Sequence, residues 1–341
     1  MRKQATLAAI NVGVIGAGYW GRKVIREIQT ISREEGILNL RHVVDNSPTS
    51  LEQCALEFGP LDYKVDYQNL LSDPELSAVH ICTPNPEHFR VASDFIKAGK
   101  SVLLEKPLTL KSAEAYQLVQ LARDNKVVLC VGHIHRFNNG IRELKRALAT
   151  GVLGTPYYMR LEWTGFLPPQ TQRDVITDLA PHPFDICNYL TGQWPVKISC
   201  KGRGYRTREN EEVAFISCEY EDGLFAQIEV SWLDREKRRT LAFVAKEGIA
   251  TLDCSDQKAM VQHKDKTEQV PIVPSNTLRE EITHFADCVN RNVRSEPYSN
   301  NSDGMLGAHV VTCLEVAKES LLQERTLQVK FPLSKEVVVP L

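Results

Sequence analysis

Between residues 9 and 132 the apolar positions fall into short, nearly continuous, β-branched blocks at 10–15, 40–44, 78–82, 101–104 and 127–132. Runs of that kind are the pattern of strands buried on both faces. The stretches between them, 22–31, 51–58, 87–98 and 112–125, place apolar residues three and four apart, which predicts helices, and Gly99 stops the third. A shorter segment, 67–72, leads into the 78–82 strand. Strands alternating with helices predict a parallel, doubly wound α/β sheet with right-handed crossovers.

After Arg136 the period changes. One helix, 141–150, ends in G-V-L-G, and then strands with two-residue alternation follow without crossover helices: 157–164, 196–202, 214–220, 225–232, 240–245 and 250–253. The Asp222–Gly223 pair predicts a hairpin turn. Helices at 184–190, 278–290 and 306–322 are expected to cover one side of that sheet, with the polar run 291–303 as a surface loop.

Bulk numbers narrow the function classes. A chain of 341 residues suggests two domains, and 25% charged with 43% hydrophobic residues is ordinary globular composition. The formal charge is −2, so no net field draws the chain to nucleic acid or to an anionic membrane. Nine scattered cysteines with no C-x-x-C pair fit a reducing compartment better than a disulfide framework or a zinc site. Arg2, Lys3 and the apolar run from Leu7 resemble a secretory leader, but no A-x-A pattern follows, and no stretch reaches the roughly 18 apolar residues of a membrane span. The expectation is a cytoplasmic protein without membrane or nucleic-acid partners.

The first strand runs into Gly16, Gly18 and Gly21 at G-x-G-x-x-G spacing, a helix follows, and the second strand ends in Asp45. The first glycine serves a tight turn, the second a close approach of backbone to a pyrophosphate, the third helix-on-strand packing. The diphosphate then rests on the helix N-terminus, and the acid at the end of the second strand takes the ribose hydroxyls. Asn46, Ser47 and Pro48 supply no cation for a 2′-phosphate, so NAD is expected rather than NADP. The fold class expected is α/β plus α+β: an N-terminal Rossmann domain over 1–133, and a C-terminal α+β domain over 134–341 built on an open, mainly antiparallel sheet.

Two strand ends carry further polar motifs, T-P-N-P-E-H (83–88) and E-K-P (105–107), and D-L-A-P-H-P-F-D (178–185) lies in the second half. Ligands of open α/β sheets bind beyond the carboxyl ends of strands, so the first two motifs should face the cofactor. Together with the glycine loop they resemble the Gfo/Idh/MocA oxidoreductases over nearly the whole length. The resemblance implies NAD as cofactor, held by Gly16, Gly18, Tyr19, Trp20, Gly21, Asp45, Thr83, Pro84, Asn85, His88, Glu105 and Lys106. It also implies Lys106, Asp178 and His182 as the catalytic group. The chemistry is reasonable in itself: oxidising a secondary alcohol needs a base of near-neutral pKa, and an ammonium beside the oxygen stabilises alkoxide character.

This chain departs from the common pattern in two places. Arg173 to Thr177 stand where many relatives carry glycines, and Pro181 and Pro183 flank His182, so both must lie in a first helical turn or at a kink. The D-L-A-P-H form and V-S-W-L-D-R-E-K-R-R (230–239) resemble the branch acting on nucleotide-linked amino sugars, UDP-N-acetylglucosamine and its uronate 3-dehydrogenases. Substrate contacts are expected from Arg136, Arg160, Trp163, Arg173 and His182, with core packing as the other reading of Trp163 and interdomain packing that of Arg136. The basic run 235–239 either meets a diphosphate or is a solvated hairpin tip. His133, His135 and His182 are too scattered for a metal site, and no metal is expected. A homodimer or homotetramer through an uncovered sheet face is expected. A dehydrogenase of free sugars or inositols, and a non-catalytic NAD-binding regulator, remain as alternatives.

Overall fold

Six parallel strands organise the first part of the chain in a computed structural model that describes residues 9–207 and 209–332. In chain order they and their helices are β1 (Ile10–Ile15), α1 (Tyr19–Glu35), β2 (Leu38–Val44), α2 (Pro48–Phe58), β3 (Asp62–Lys64), β4 (Ala78–Ile81), α3 (His88–Lys97), β5 (Ser101–Leu104), α4 (Ser112–Asp124) and β6 (Leu129–Val131). The sheet order β3-β2-β1-β4-β5-β6 is the Rossmann order, and the strand order reverses between β1 and β4. Val14, Val43, Val79 and Leu104 are fully buried, as strands covered on both faces require. The edge strand β3 is absent from the sequence pattern because its D-Y-K is polar and half-exposed.

The second part comprises α5 (Asn139–Ala149), β7 (Pro156–Phe166), α6 (Val175–Leu179), α7 (Pro181–Thr191), β8 (Lys197–Arg203), β9 (Val213–Glu219), β10 (Phe225–Ser231), β11 (Leu233–Ala245), β12 (Gly248–Asp253), β13 (Lys258–His263), β14 (Lys266–Gln269), α8 (Thr277–Val293), α9 (Gly304–Gln323) and β15 (Leu327–Gln328). Strands β7 to β15 form a nine-stranded sheet in the order β14-β13-β12-β11-β7-β10-β9-β8-β15. Only β7 and β10 run parallel in it; the other pairings are antiparallel. Alternation puts Met159, Leu161 and Trp163 of β7 with Ile228 and Val230 of β10 on the face that packs against Leu144, Phe184 and Ile186 of the helices.

Two differences from the sequence pattern bear on the site. Strand β11 begins at Leu233, not at 240, so the basic run 235–239 is strand rather than a hairpin tip. The chain also divides differently from 1–133 and 134–341: one compact unit holds residues up to 132 together with 278–308, the other holds 133–277 and 309–332. The reason is the buried stripe of α8, where Ile282, Phe285, Ala286 and Val289 complete the core around Val24, Ile28 and Leu103. All nine cysteines are free. No helix of the described residues is long and apolar enough to cross a membrane, and the leader-like residues Arg2, Lys3 and Leu7 lie outside the described residues.

Candidate active site

In the first unit the glycine loop separates what the fold needs from what a ligand needs. Gly16 has φ +99°, and a Cβ there would lie 2.6 Å from the Cys82 carbonyl oxygen. A Cβ on Gly21 would lie 1.9 Å from the carbonyl oxygen of Gly16. Both glycines are therefore required by the turn itself. A Cβ on Gly18 would meet nothing within 4 Å, so its bareness serves an approach from outside, at the first N–H groups of the long helix α1. The Asp45 carboxylate accepts from Ala17 N at 2.7 Å and from Ser47 N at 2.9 Å, which braces the loop and leaves acceptor capacity for ribose hydroxyls. These residues fit a dinucleotide. Tyr19 is exposed beside Lys23, and Trp20 donates its indole N–H to Glu105.

The ends of β4 and β5 complete this surface. Thr83, Pro84 and Asn85 reach it, and the Thr83 hydroxyl oxygen is buried without a hydrogen-bond partner. His88 does not face it. Its ring is fully buried, with Nδ1 2.9 Å from the Pro107 carbonyl and Nε2 3.0 Å from that of Thr83, and burial lowers its pKa. The expected cofactor contact is thus a tie between the two loops that carry cofactor-facing residues. Burial opposes ionisation of Glu105, but hydrogen bonds from His80 (3.1 Å) and Trp20 and the charge of Lys106 outweigh it and hold the carboxyl below its ordinary value. Lys106, half-exposed, projects from the next position, and its bond to Pro107 is cis. His80, Cys82 and Glu105 have metal-type donor atoms within 4.8 Å of one another. His80 and Glu105 are bonded to each other, and burial pushes the Cys82 thiol up, so the group acts as a support for Glu105.

In the second unit α6 and α7 follow one another with only Ala180 between them. Pro181 opens α7, and Pro183 also falls in its first turn, where an N–H has no intrahelical acceptor to lose. Asp174 caps α6 by accepting from Thr177 N at 2.7 Å and pairs with Lys318 at 2.8 Å. Asp178, buried on α6, is held by Arg173 at 3.2 Å and by the Trp232 indole N–H at 3.3 Å. In the first turn of α7, the half-buried His182 ring stands 4.9 Å from that of His135 and 6.4 Å from that of Trp163, and His135 meets Trp163 edge-on at 5.1 Å.

The expected substrate residues separate. Trp163 meets His182, and Arg173 pairs with Asp178. Arg136 is engaged within its own unit, by Asp185, by Asn188 at 2.7 Å and by the ring of Tyr189, so its fork is committed to structure. Arg160, three residues from Trp163, points from the opposite, exposed face of β7 and is not brought to the group. Arg239 entered the sequence reading only as the last member of the basic run 235–239. It pairs in register with Trp163, donates to the Thr164 carbonyl at 2.6 Å and lies 5.8 Å over the Trp163 ring.

Two family models match the chain: residues 10–133 match the oxidoreductase family with NAD-binding Rossmann fold, and residues 141–251 match the GFO/IDH/MocA C-terminal domain. The chain is 29% identical to UDP-N-acetylglucosamine 3-dehydrogenase of Acidithiobacillus ferrooxidans, over 92% of its own length and 99% of that enzyme's. A solved structure of that enzyme superposes with a TM-score of 0.80 at 28% identity, covering 92% of this chain and 98% of that one. Myo-inositol 2-dehydrogenase of Thermotoga maritima is 26% identical over 57% of this chain and 58% of its own. Levoglucosan dehydrogenase, solved with NADH and L-sorbose, shares the fold at a TM-score of 0.85 and 17% identity, over 95% of this chain and 100% of that one.

Proposed function

The chain belongs to the Gfo/Idh/MocA oxidoreductase family and is an NAD-binding oxidoreductase, and from that premise we propose that it oxidises the C3 hydroxyl of a UDP-linked N-acetylamino sugar, UDP-N-acetylglucosamine first and its 6-carboxylate second. The observation that carries the chemistry is the group around His182: a half-buried imidazole on two aromatic rings, with Asp178 fixed nearby in sequence by Arg173 and Trp232. The substrate class rests on the likeness to the Acidithiobacillus enzyme, which spans nearly all of both chains.

In this reading the loop from Gly16 to Gly21, the start of α1, Asp45 and the residues from Thr83 to Asn85 hold NAD, which when bound accepts a hydride at nicotinamide C4. His182 takes the proton of the substrate hydroxyl, the task its near-neutral intrinsic pKa suits. Lys106 places an ammonium against the oxygen and stabilises the negative charge that develops there, worth roughly 10²–10³ in rate for one donor. Asp178 supplies the negative charge that favours the imidazolium, and Arg173 and Trp232 keep its carboxylate from rotating away. Ring packing by Trp163 and His135 fixes the plane of His182 and excludes water from one side of it.

The reading includes self-association through the outer face of the nine-stranded sheet, where Tyr158 and Phe225 are exposed cross-strand neighbours. Light scattering is expected to give a dimer or tetramer, and a monomer at micromolar concentration contradicts it. The activity is tested by NADH absorbance with UDP-N-acetylglucosamine, free N-acetylglucosamine and myo-inositol, coupled to an aminotransferase that removes a 3-keto product. The UDP-linked sugar should react far faster than the free one. Equal rates reject the nucleotide-sugar substrate and favour a free-sugar or inositol dehydrogenase.

A further inference from the structure

Strand β11 carries a wide bulge beside the site. It pairs with β7 at Leu233–Phe166 and resumes at Arg238–Thr164, so residues 234–237 stand opposite Gly165 alone. The bulge sorts the charges of D-R-E-K-R-R. Arg238 turns to Glu236 at 2.8 Å and Glu162 at 3.7 Å. Arg235, Lys237 and Arg239 turn to the end of β7, and among the described residues none of the three makes an ion pair. Lys237 lies across Gly165, where a Cβ would meet its Cγ at 3.7 Å. The Arg235 guanidinium sits 4.7 Å over the exposed ring of Phe166. Arg206, anchored on the buried Glu212 at 2.7 Å, approaches the same ring at 5.3 Å.

Arg239 is the informative member. It is half-buried, and among the described residues it donates only to the backbone carbonyls of Thr164 and Arg238. The acid that influences it, Asp178, is already paired with Arg173. A desolvated cation without a counter-charge is costly, and such a group is retained where an anion completes it. Stacking on Phe166 uses the face of Arg235 and leaves its edge N–H donors for a planar or tetrahedral oxyanion. Trp163 and Gly165 share one face of β7, so the stations of Arg239 and Lys237 lie two strand residues, about 7 Å, apart along it. That is the span of a linker running away from the sugar ring, and Phe166 at the end of the strand holds Arg235.

We propose that this bulge is the diphosphate-holding subsite of the substrate, with Arg235, Lys237 and Arg239 as its donors and Phe166 fixing the plane of Arg235. The inference rests on the nucleotide-sugar reading above. UDP alone should inhibit the wild-type enzyme competitively against UDP-N-acetylglucosamine. In Lys237→Gln and Arg235→Ala, both at exposed positions, the inhibition constant for UDP and KM for the UDP-sugar should rise together by at least tenfold. Phe166→Ala should reproduce part of that loss and Phe166→Tyr should restore it, with NAD affinity measured as the control for folding. UDP inhibiting wild type and variants alike overturns the subsite and leaves the nucleotide-sugar reading standing. A wild-type enzyme that ignores UDP while oxidising a free sugar overturns both.

Discussion

Replacing Asp45 with alanine tests the cofactor reading most sharply, because the structure gives that carboxylate two tasks. Of roughly four acceptor positions on a carboxylate, two are taken by the amides of Ala17 at 2.7 Å and Ser47 at 2.9 Å. The remainder can receive the two ribose hydroxyls. Hydrogen bonds to charged groups contribute about 1.5–3 kcal/mol each, so losing two at the lower end comes to about 3 kcal/mol, roughly a hundredfold in Kd. In the wild-type protein a 2′-phosphate would face this carboxylate with no cation among Asn46, Ser47 and Pro48, so NAD should bind at least about tenfold more tightly than NADP. Asp45→Ala should weaken NAD by about a hundredfold and narrow the gap to NADP. NADP should still fall short of the wild-type affinity for NAD, because the loop loses its brace for either dinucleotide. Titration calorimetry with both cofactors measures all four constants. Equal wild-type affinities for the two, or an Asp45→Ala protein that binds NAD within threefold of wild type, would refute the reasoning.

Alanine at His182 or at Lys106 should lower kcat by two or more orders of magnitude, within the roughly 10²–10⁴ of a catalytic group. The His182 variant should keep its NAD affinity, and one that retains most of its turnover assigns the base elsewhere. His309 packs against Trp194 at 5.3 Å and Phe331 at 4.6 Å, and burial brings its pKa from 6.5 down to about 4. The unfolded chain therefore binds the proton first: stability is complete above about pH 6.5 and is lost progressively as pH falls toward 4, by up to about 3 kcal/mol. Urea denaturation at pH 7 and pH 4.5 should show this loss, His309→Leu should reduce it, and an unchanged pH dependence in that variant contradicts the assignment.

The glycine loop was legible because it is a backbone requirement: Gly16 has φ +99°, and a Cβ on Gly21 would strike the carbonyl of Gly16 within the same loop. The strand–helix alternation up to residue 132 was legible because strands buried on both faces need unbroken apolar runs. Strands β13 and β14 were not, because they pair only along a polar sheet edge and β14 buries none of its side chains. The apolar stripe of α8 announces that something covers it, but not that the cover is a core laid down more than 150 residues earlier. His88 reads as a polar loop residue until the carbonyls of Pro107 and Thr83 are seen on both sides of its ring. Strand parity alone, counted back from Trp163, would have set Arg160 aside. The position of Arg239 depends on the bulge in β11, which no local pattern marks.

The return of α8 to the first unit has a consequence in time. A ribosome adds about 5–20 residues per second, so roughly ten to thirty seconds separate the emergence of Gly132 from that of Val289. Throughout that interval Ile28, Leu103 and their neighbours lack the side chains that will finally cover them. The second unit waits as well, since Val310, Cys313 and Leu314 of α9 belong to its core. Neither core is complete before α8 and α9 have been made, and the two become competent almost together. A nascent chain stalled before residue 278 would present two unfinished cores to the cell's chaperones, not one finished cofactor domain with a tail.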